Sequence, residues 1–478
     1  LGLSWSAPEA DLIFDLNGDR IDGELLADIE IGDVALKVVA ATAFEHASGV
    51  VRTNVKFGEV VPAKLAGISP RLDALNAFRL PVSGGLEFTL DQNGALRDRI
   101  KFDLTGGAGS LAIPKILPAP PTIASLQLRG DTDVNFSSVN MEKFFVDTGG
   151  PTFFFQGQVA GVADQAALDG TFEFTEMPFN DLKDYWPDTL LINAREWILG
   201  NVYDGVISNF TVKFDVKPGE INSLDHDMRP GVIDAAFKFR DATVNYFPEQ
   251  PYAYGVKGEG RANGANMTLN LWDGTIEDMY APTGIAIITG LMQESSMLTI
   301  IANVEGPAAN AIKLLDGPRF GYPSKMGLKS DQFSGHVTAE MGVQLPFRSD
   351  VTFEEVQFAA IARMDDLNVR DLFGDYDVSD GQMRLTLDEN NMEVTGEIAI
   401  EGMPAEVKWK ENFSPEAPFQ SRYDISAVLD ASARETFGIG LGPFASGPFE
   451  MNFTYTVSSD GQQHVAAVLD GENASMEI

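Results

Sequence analysis

The sequence contains no cysteine. Disulfides, thiolate nucleophiles and cysteine-ligated zinc are therefore excluded, and the composition suits an oxidising compartment as readily as the cytosol. Basic residues are scarce: 34 Lys and Arg stand against 70 Asp and Glu, a formal charge of -36. Nucleic-acid binding needs Lys and Arg to meet phosphates, so no nucleic-acid partner is expected. An acidic exterior is also repelled by anionic membrane surfaces. No apolar run reaches the roughly 20 residues that span a bilayer as a helix. The nearest stretch, 280–292, contains Pro282, Gly284 and Gly290 and reads as a buried strand. No signal-peptide pattern is visible. The sequence begins at Leu1 rather than Met and stops at Ile478 within an alternating pattern, so both ends are expected to be cuts in a longer protein.

Histidine is rare as well. His46, His226, His336 and His464 lie far apart with no paired spacing, so neither a metal site nor a histidine base is expected. There is no G-x-S-x-G elbow and no Walker loop. The glycine-rich "GVKGEGRANG" has Asn263 where a dinucleotide loop needs its third glycine, and "MTLNL" follows where a helix would open; a hairpin is expected. In "DLNGDRIDGE", Asp15, Asn17 and Asp19 fall at the first, third and fifth positions of a calcium loop. Arg20 then replaces the required glycine and Leu26 the bidentate acid, which leaves a polar hairpin turn. Acidic pairs such as Asp365-Asp366 and Glu354-Glu355 are what solvated strand faces supply freely. The expectation is a protein without catalytic centre, metal or cofactor.

What the sequence has is alternation of period two. Phe210, Val212, Phe214 and Val216 interleave with Thr211, Lys213, Asp215 and Lys217, and Phe237 and Phe239 flank Lys238. The pattern recurs at Ile100, Phe102 and Leu104, at Met267, Leu269 and Leu271, at Met383, Leu385 and Leu387, and at Phe449, Met451, Phe453 and Tyr455. Strands with one dry and one wet face belong to antiparallel sheet. Asn17-Gly18, Asn93-Gly94 and Asp460-Gly461 supply hairpin dipeptides between such runs. The 46 glycines and 25 prolines are spread along the chain, as many short connections require. Helices are few. One follows Trp186-Pro187, with Leu190, Leu191, Ala194, Trp197 and Ile198 on one face and Gly200 as its stop; a second runs from Pro307 to Asp316; a third starts near Pro70 with Leu72 and Leu75. Pro-rich "PKILPAPP" at 114–121 and the end of "LPF" at 345–347 suggest three segments: 1–121, 122–347 and 348–478. Trp186, Arg195 and Trp197 are read as structural, packing a short helix onto the sheet.

At "YWPDTLLINAREWILGNVYDGVISNFTVKFDV" the chain resembles the YhdP-type branch of the AsmA-like family of bacterial envelope proteins: Tyr185-Trp186-Pro187, Ala194-Arg195, Trp197-Ile198, then Gly205 leading into an alternating strand. "FKFRDATVNYFPEQPYAYGVKGEGRANGANMTLNLWDGTI", "GHVTAEMGVQLPF" and "VTGEIAIEGMPAEVKW" are similar to later parts of that branch. The resemblance covers most of 60–478; positions 1–60 match in general pattern only. It implies a mainly β fold, a long curved antiparallel sheet forming an open apolar groove with a few short capping helices. It also implies a bridge-like lipid transfer protein that shields phospholipid acyl chains between inner and outer membranes. On that implication the protein sits in the periplasm of a Gram-negative bacterium, anchored to the inner membrane through an N-terminal segment that is missing here. The groove residues would be Phe210, Val212, Phe214, Phe237, Phe239, Leu269, Leu271, Met383, Leu385, Met451 and Phe453. Alternation by itself also allows a non-transporting envelope scaffold whose apolar face is covered by protein.

Overall fold

The computed structural model describes residues 5–476 except 69, 113–116, 118, 162–164, 189, 221–228, 247–249, 292, 294, 318–320, 349, 374, 415 and 441–444. Strand accounts for 63% of the chain and helix for 11%, so the mainly β expectation holds. Two compact units are present: Leu1–Arg240 with Glu259–Met267 and Thr289–Ser296, and Asp241–Gly258 with Thr268–Ile288 and Met297–Ile478. The Pro-rich boundary at 114–121 falls partly outside the described residues.

In the first unit each long strand pairs antiparallel with the next: Trp5–Asn17, Arg20–Ile31, Val34–Glu45, Val50–Val60, Val82–Leu90, Ile100–Gly106, Ser125–Thr132, Ser138–Asp147, Thr152–Ala160, Ala167–Pro178, Val206–Val216 and Ile233–Val244. The register keeps apolar residues opposite apolar residues. One row crosses the sheet as Leu12, Leu25, Ala40, Val55, Leu86 and Phe102, each opposite the last. A second passes from Leu104 through Leu128, Phe144, Phe155, Phe172 and Val212 to Ala235. Because side chains alternate across a strand, every such row lies on one face. The other face carries cross-strand ion pairs, Lys101 to Glu87 at 3.3 Å and Arg129 to Asp103 at 3.2 Å. A small sheet of Phe78–Arg79, Gly109–Leu111 and Thr122–Ile123 accompanies it, and Leu111 and Ile123 join Leu80, Leu126 and Val146 in a closed core.

The second unit repeats the scheme over Met297–Pro307, Phe333–Pro346, Gln357–Phe373, Tyr376–Asp388, Asn391–Ile400, Met403–Asn412, Ser421–Leu429, Phe449–Val457 and Gln463–Asp470. Ala339, Ala362, Leu385, Val394, Trp409, Tyr423, Tyr455 and Val465 stand opposite one another in turn. Glu393 on the wet face bonds Lys410 at 2.9 Å and Lys408 at 3.3 Å. The outer edges of Trp5–Asn17 and Gln463–Asp470 have no strand partner among the described residues, so the sheet does not close on itself.

The helices fall where expected, with changed boundaries. Ile192–Asn201 continues one residue past Gly200. Ala308–Leu315 begins directly after Pro307. Pro70–Ala77 is a 3-10 helix rather than an α-helix. The strand at the 280–292 stretch is Met279–Thr289, in which Met279, Ala286 and Ile288 are buried and the other positions are half-buried or exposed, so it is half-buried rather than buried. In the first hairpin Asn17 pairs with Arg20, which makes Gly18 and Asp19 the turn; Gly18, at φ +63°, supplies the left-handed residue. Local bulges break the strict alternation. The register shifts between Ser208 and Thr211, between Met364 and Leu367 and between Ser379 and Gln382. Each shift contains a polar residue at positive φ: Asn209 at 52°, Asp366 at 52° and Asp380 at 55°. Asn and Asp tolerate that region better than other side chains because they can bond locally.

Two predictions follow from these local devices. Asn209→Gly should change stability by less than about 0.5 kcal/mol, whereas Asn209→Val, β-branched at positive φ, should cost about 1–2 kcal/mol; urea denaturation midpoints compare them. At the turn after Ser125–Thr132, Asp133 accepts from the Ser137 hydroxyl at 2.6 Å, the Ser137 amide at 3.0 Å and the Asn135 amide at 2.9 Å. These bonds, led by the Ser137 hydroxyl, hold its carboxyl well below the usual range. A lowered folded pKa gives stability that is present above the ordinary carboxylate value and lost as pH falls through the folded one. The melting-temperature gap between the wild type and Asp133→Asn should therefore close as pH is lowered from about 5 to about 1. A gap that widens in acid contradicts this account.

Candidate functional site

The residues with functional interest line the dry faces. In the first unit Phe210, Val212 and Phe214 project from Val206–Val216, and Phe237 and Phe239 from Ile233–Val244. Val212 and Ala235 are buried, with Phe210, Phe214 and Ile233 packed against them. The rings form a ladder. Phe174 stacks on Phe210 at 4.3 Å between centroids, Phe210 lies 6.1 Å from Phe237, and Phe239 meets Phe179 edge-on at 6.0 Å. Phe153 extends it, 6.2 Å from Phe174 and 5.2 Å from Tyr185. Such offset and edge-on pairs add about 0.5–1.5 kcal/mol each beyond area burial. Lys213 and Lys238 point to the opposite, exposed side.

In the second unit Met383, Leu385, Met451 and Phe453 belong to one apolar cluster that also holds Val394, Ile425 and Leu429. Leu269 and Leu271 are half-buried on Asn266–Ile276 and alternate with exposed Thr268 and Asn270. The sheet face therefore unites Phe210 to Phe239 in one unit and Met383 to Phe453 in the other. Sequence reading missed Phe153, Phe172 and Phe174, and missed Trp409 and Tyr423; it placed Tyr455 in an alternating run without counting it as a groove residue. Trp409 and Tyr423 stack at 5.4 Å. "TFEFT" at 171–175 carried the alternation that could have found two of them.

Beyond the floor, a cavity of about 150 Å³ is lined by Ile400, Met403, Ile425, Leu429, Phe437, Ile439, Met451 and Phe453. It is open on one side and lined by apolar side chains alone, so it favours an apolar group over water. A larger recess of about 330 Å³ lies among Arg20, Asp22, Glu24, Arg52 and Glu87. It sits on the polar face over small Ala41 and Ala43, and Arg20 is paired with Asp22 at 2.7 Å. Its exposed, already paired charges offer a guest little. Among the described residues no three acidic or histidine side chains cluster as a metal site would need, and no helix is long and apolar enough to cross a membrane. His226 lies outside the described residues.

Trp186, Arg195 and Trp197 belong to a helical insert formed by Leu182–Tyr185 and Ile192–Asn201, Trp186 directly after the first helix and the other two on the second. The Trp186 indole N–H donates to the Leu190 carbonyl at 2.8 Å, and Arg195 Nε donates to the Trp186 carbonyl at 3.2 Å. Asn201 donates to the Trp197 carbonyl at 2.9 Å, closing the helix end. Trp186 and Arg195 thus fasten a turn that begins in strain, since Leu191 sits at φ +55°. Trp186→Phe, which keeps the ring and removes the N–H donor, should cost about 1 kcal/mol and leave ligand capture on the strands unchanged. Thermal denaturation beside a capture assay distinguishes this from a gating role, which would lose capture at constant stability.

No curated protein matches the chain, and no solved structure does. A family model described as YhdP protein matches residues 90–477, a span that contains the helical insert, the aromatic ladder and the strands of the second unit. That match extends over well over half of the sequence: the chain belongs to the YhdP family, an AsmA-like family of bacterial envelope proteins.

Proposed function

We propose that this chain is a segment of a bridge-like lipid transfer protein, in which the dry faces hold phospholipid acyl chains on their way between the inner and outer membranes. The observation that carries the reading is the uninterrupted apolar register: within each unit, apolar side chains follow one another from strand to strand, and many of them are only half-buried. An acyl chain gains about 0.8 kcal/mol for each CH₂ removed from water and needs no directional contact. A floor of similar apolar sites can therefore hold a tail while presenting small barriers to sliding. Membership in an envelope family supports this reading. On this reading the protein sits in the periplasm, joined to the inner membrane by a segment other than this one. It is then not an enzyme and uses no cofactor.

Photo-crosslinking in cells tests the proposal. A benzophenone side chain at Phe214, Leu271 or Met451 should capture phospholipid, and the same probe at Lys213 or Lys238 should not. Equal lipid labelling on both faces removes the proposal. Capture of protein in place of lipid at all three apolar positions favours the scaffold, whose dry face is covered by a partner.

A further inference from the structure

Within the second unit, the apolar cavity has a charged neighbour that the floor does not explain. Arg434, on the short helix Ala431–Thr436, is 7% exposed. Its Nη1 donates to the Leu429 carbonyl at 3.1 Å and the Gly447 carbonyl at 2.6 Å, and its guanidinium carbon stands 5.2 Å from the centre of the Phe449 ring. Leu429 itself lines the cavity. Among the described residues no carboxylate pairs with Arg434. Glu435, next to it in the chain, is exposed and forms no ion pair with it, and Asp430 is engaged as the helix cap, accepting from the Ala433 amide at 2.8 Å. Residues 437–447 contain no acid that could serve. Nε and Nη2 have no protein acceptor among the described residues, yet neither is among the sealed polar atoms there, which are Asn245 Oδ1 and Gln250 Nε2. Two donor groups of a buried cation thus lack a protein acceptor, on a side chain tied to the cavity wall through the Leu429 carbonyl.

A buried guanidinium without a counter-ion is costly, and its planar fork matches phosphate oxygens. The strand ends add a direction. Leu429 and Phe449 close one end of the paired strands Ser421–Leu429 and Phe449–Val457. At the other end, about 27 Å away along the strand, stands a carboxylate. Glu411, 9% exposed, accepts from the Trp409 indole at 2.5 Å, the Ser421 hydroxyl at 2.6 Å and the Tyr423 hydroxyl at 3.4 Å. One rim invites an anion and the other repels it. We infer that Arg434 anchors the phosphodiester of a glycerophospholipid whose acyl chain enters the cavity beside Leu429 and Phe437. This inference rests on the reading of the dry face as a lipid surface.

The test uses the whole chain with p-benzoylphenylalanine at Phe437, loaded from micelles containing equal amounts of dioleoylphosphatidylethanolamine and dioleoylglycerol. Captured lipid is identified by mass spectrometry. The phosphate-bearing lipid should exceed diacylglycerol about tenfold, and the same probe at Tyr455, near the Glu411 rim, should show no preference for it. Arg434→Met should bring the ratio at Phe437 to about one, with diacylglycerol capture retained. Equal capture of the two lipids by the wild type overturns the inference, and this holds even where Arg434→Met fails to fold. A ratio unchanged in a folded Arg434→Met protein overturns it too. Displacement of the phospholipid by inorganic phosphate makes the site one for the free ion and overturns the lipid assignment. Capture of neither lipid at any apolar position removes the lipid surface itself, which distinguishes failure of the broader reading from failure of this one.

Discussion

Strand register is the constraint on which everything else here depends. Side chains alternate with period two, so a slip of one residue in any strand sends its apolar set to the wet face and its charges to the dry one. The pairing Phe155 to Phe172 to Val212 to Ala235, and the pairing Val394 to Trp409 to Tyr423 to Tyr455, hold only in one register. The wet face enforces the same choice. Glu87 meets Lys101 and Asp103 meets Arg129 as cross-strand partners. Such exposed pairs contribute little energy singly, but like charges brought opposite by a slip would repel. Opposite signs on one face and apolar surface on the other therefore select one alignment.

Bulges keep that alignment while bending the strands locally. Each extra residue would reverse the alternation beyond it unless the backbone absorbs the change, and a residue at positive φ does so. Asn209, Asp366 and Asp380 fill this role. Glycines opposite large rings are a second device. An added Cβ at Gly170 would stand 2.9 Å from the Phe155 ring and 2.6 Å from the Gln156 carbonyl, so only glycine lets that ring lie across the neighbouring strand. The aromatic ladder depends on these small residues as much as on the rings.

Much of this was readable in the sequence where one segment carried the whole signal. The runs at 210–216, 383–387 and 449–455 alternate cleanly, and the strands with their faces lie where that alternation put them. The helix after Trp186-Pro187 was visible in its spacing. What stayed hidden depends on departures from period two or on distant partners. "KFFV" at 143–146 and "TFFFQ" at 152–156 read as unbroken apolar runs. In the fold Phe144 and Phe155 face the dry side, while Phe145 lies under the Lys143 ammonium and Phe154 stands opposite it, so the bulge between Met141 and Phe144 had to be known first. An aspartate destined for positive φ looks like any turn or surface aspartate. Arg434 gave no signal because its two carbonyl partners and its ring come from strand ends that only the fold brings together.

The charge distribution then acquires a physical sense that composition alone did not supply. A formal charge of -36 on a protein whose proposed ligand is a phospholipid looks adverse, because net negative charge repels anionic lipid surfaces. The repulsion is useful if the acids stand on the wet face: it keeps that face from lying on a bilayer and leaves the apolar floor as the favourable surface for a tail. Repulsion between exposed charges is screened within about 8 Å at physiological ionic strength, so the acids of the outer face act weakly on the floor across the sheet. The few charges close to the floor count for more there. Arg434 beside the cavity and Glu411 at the far strand end differ in sign, and a phosphate near them meets attraction at one rim and repulsion at the other. An otherwise featureless apolar surface thereby gains an orientation.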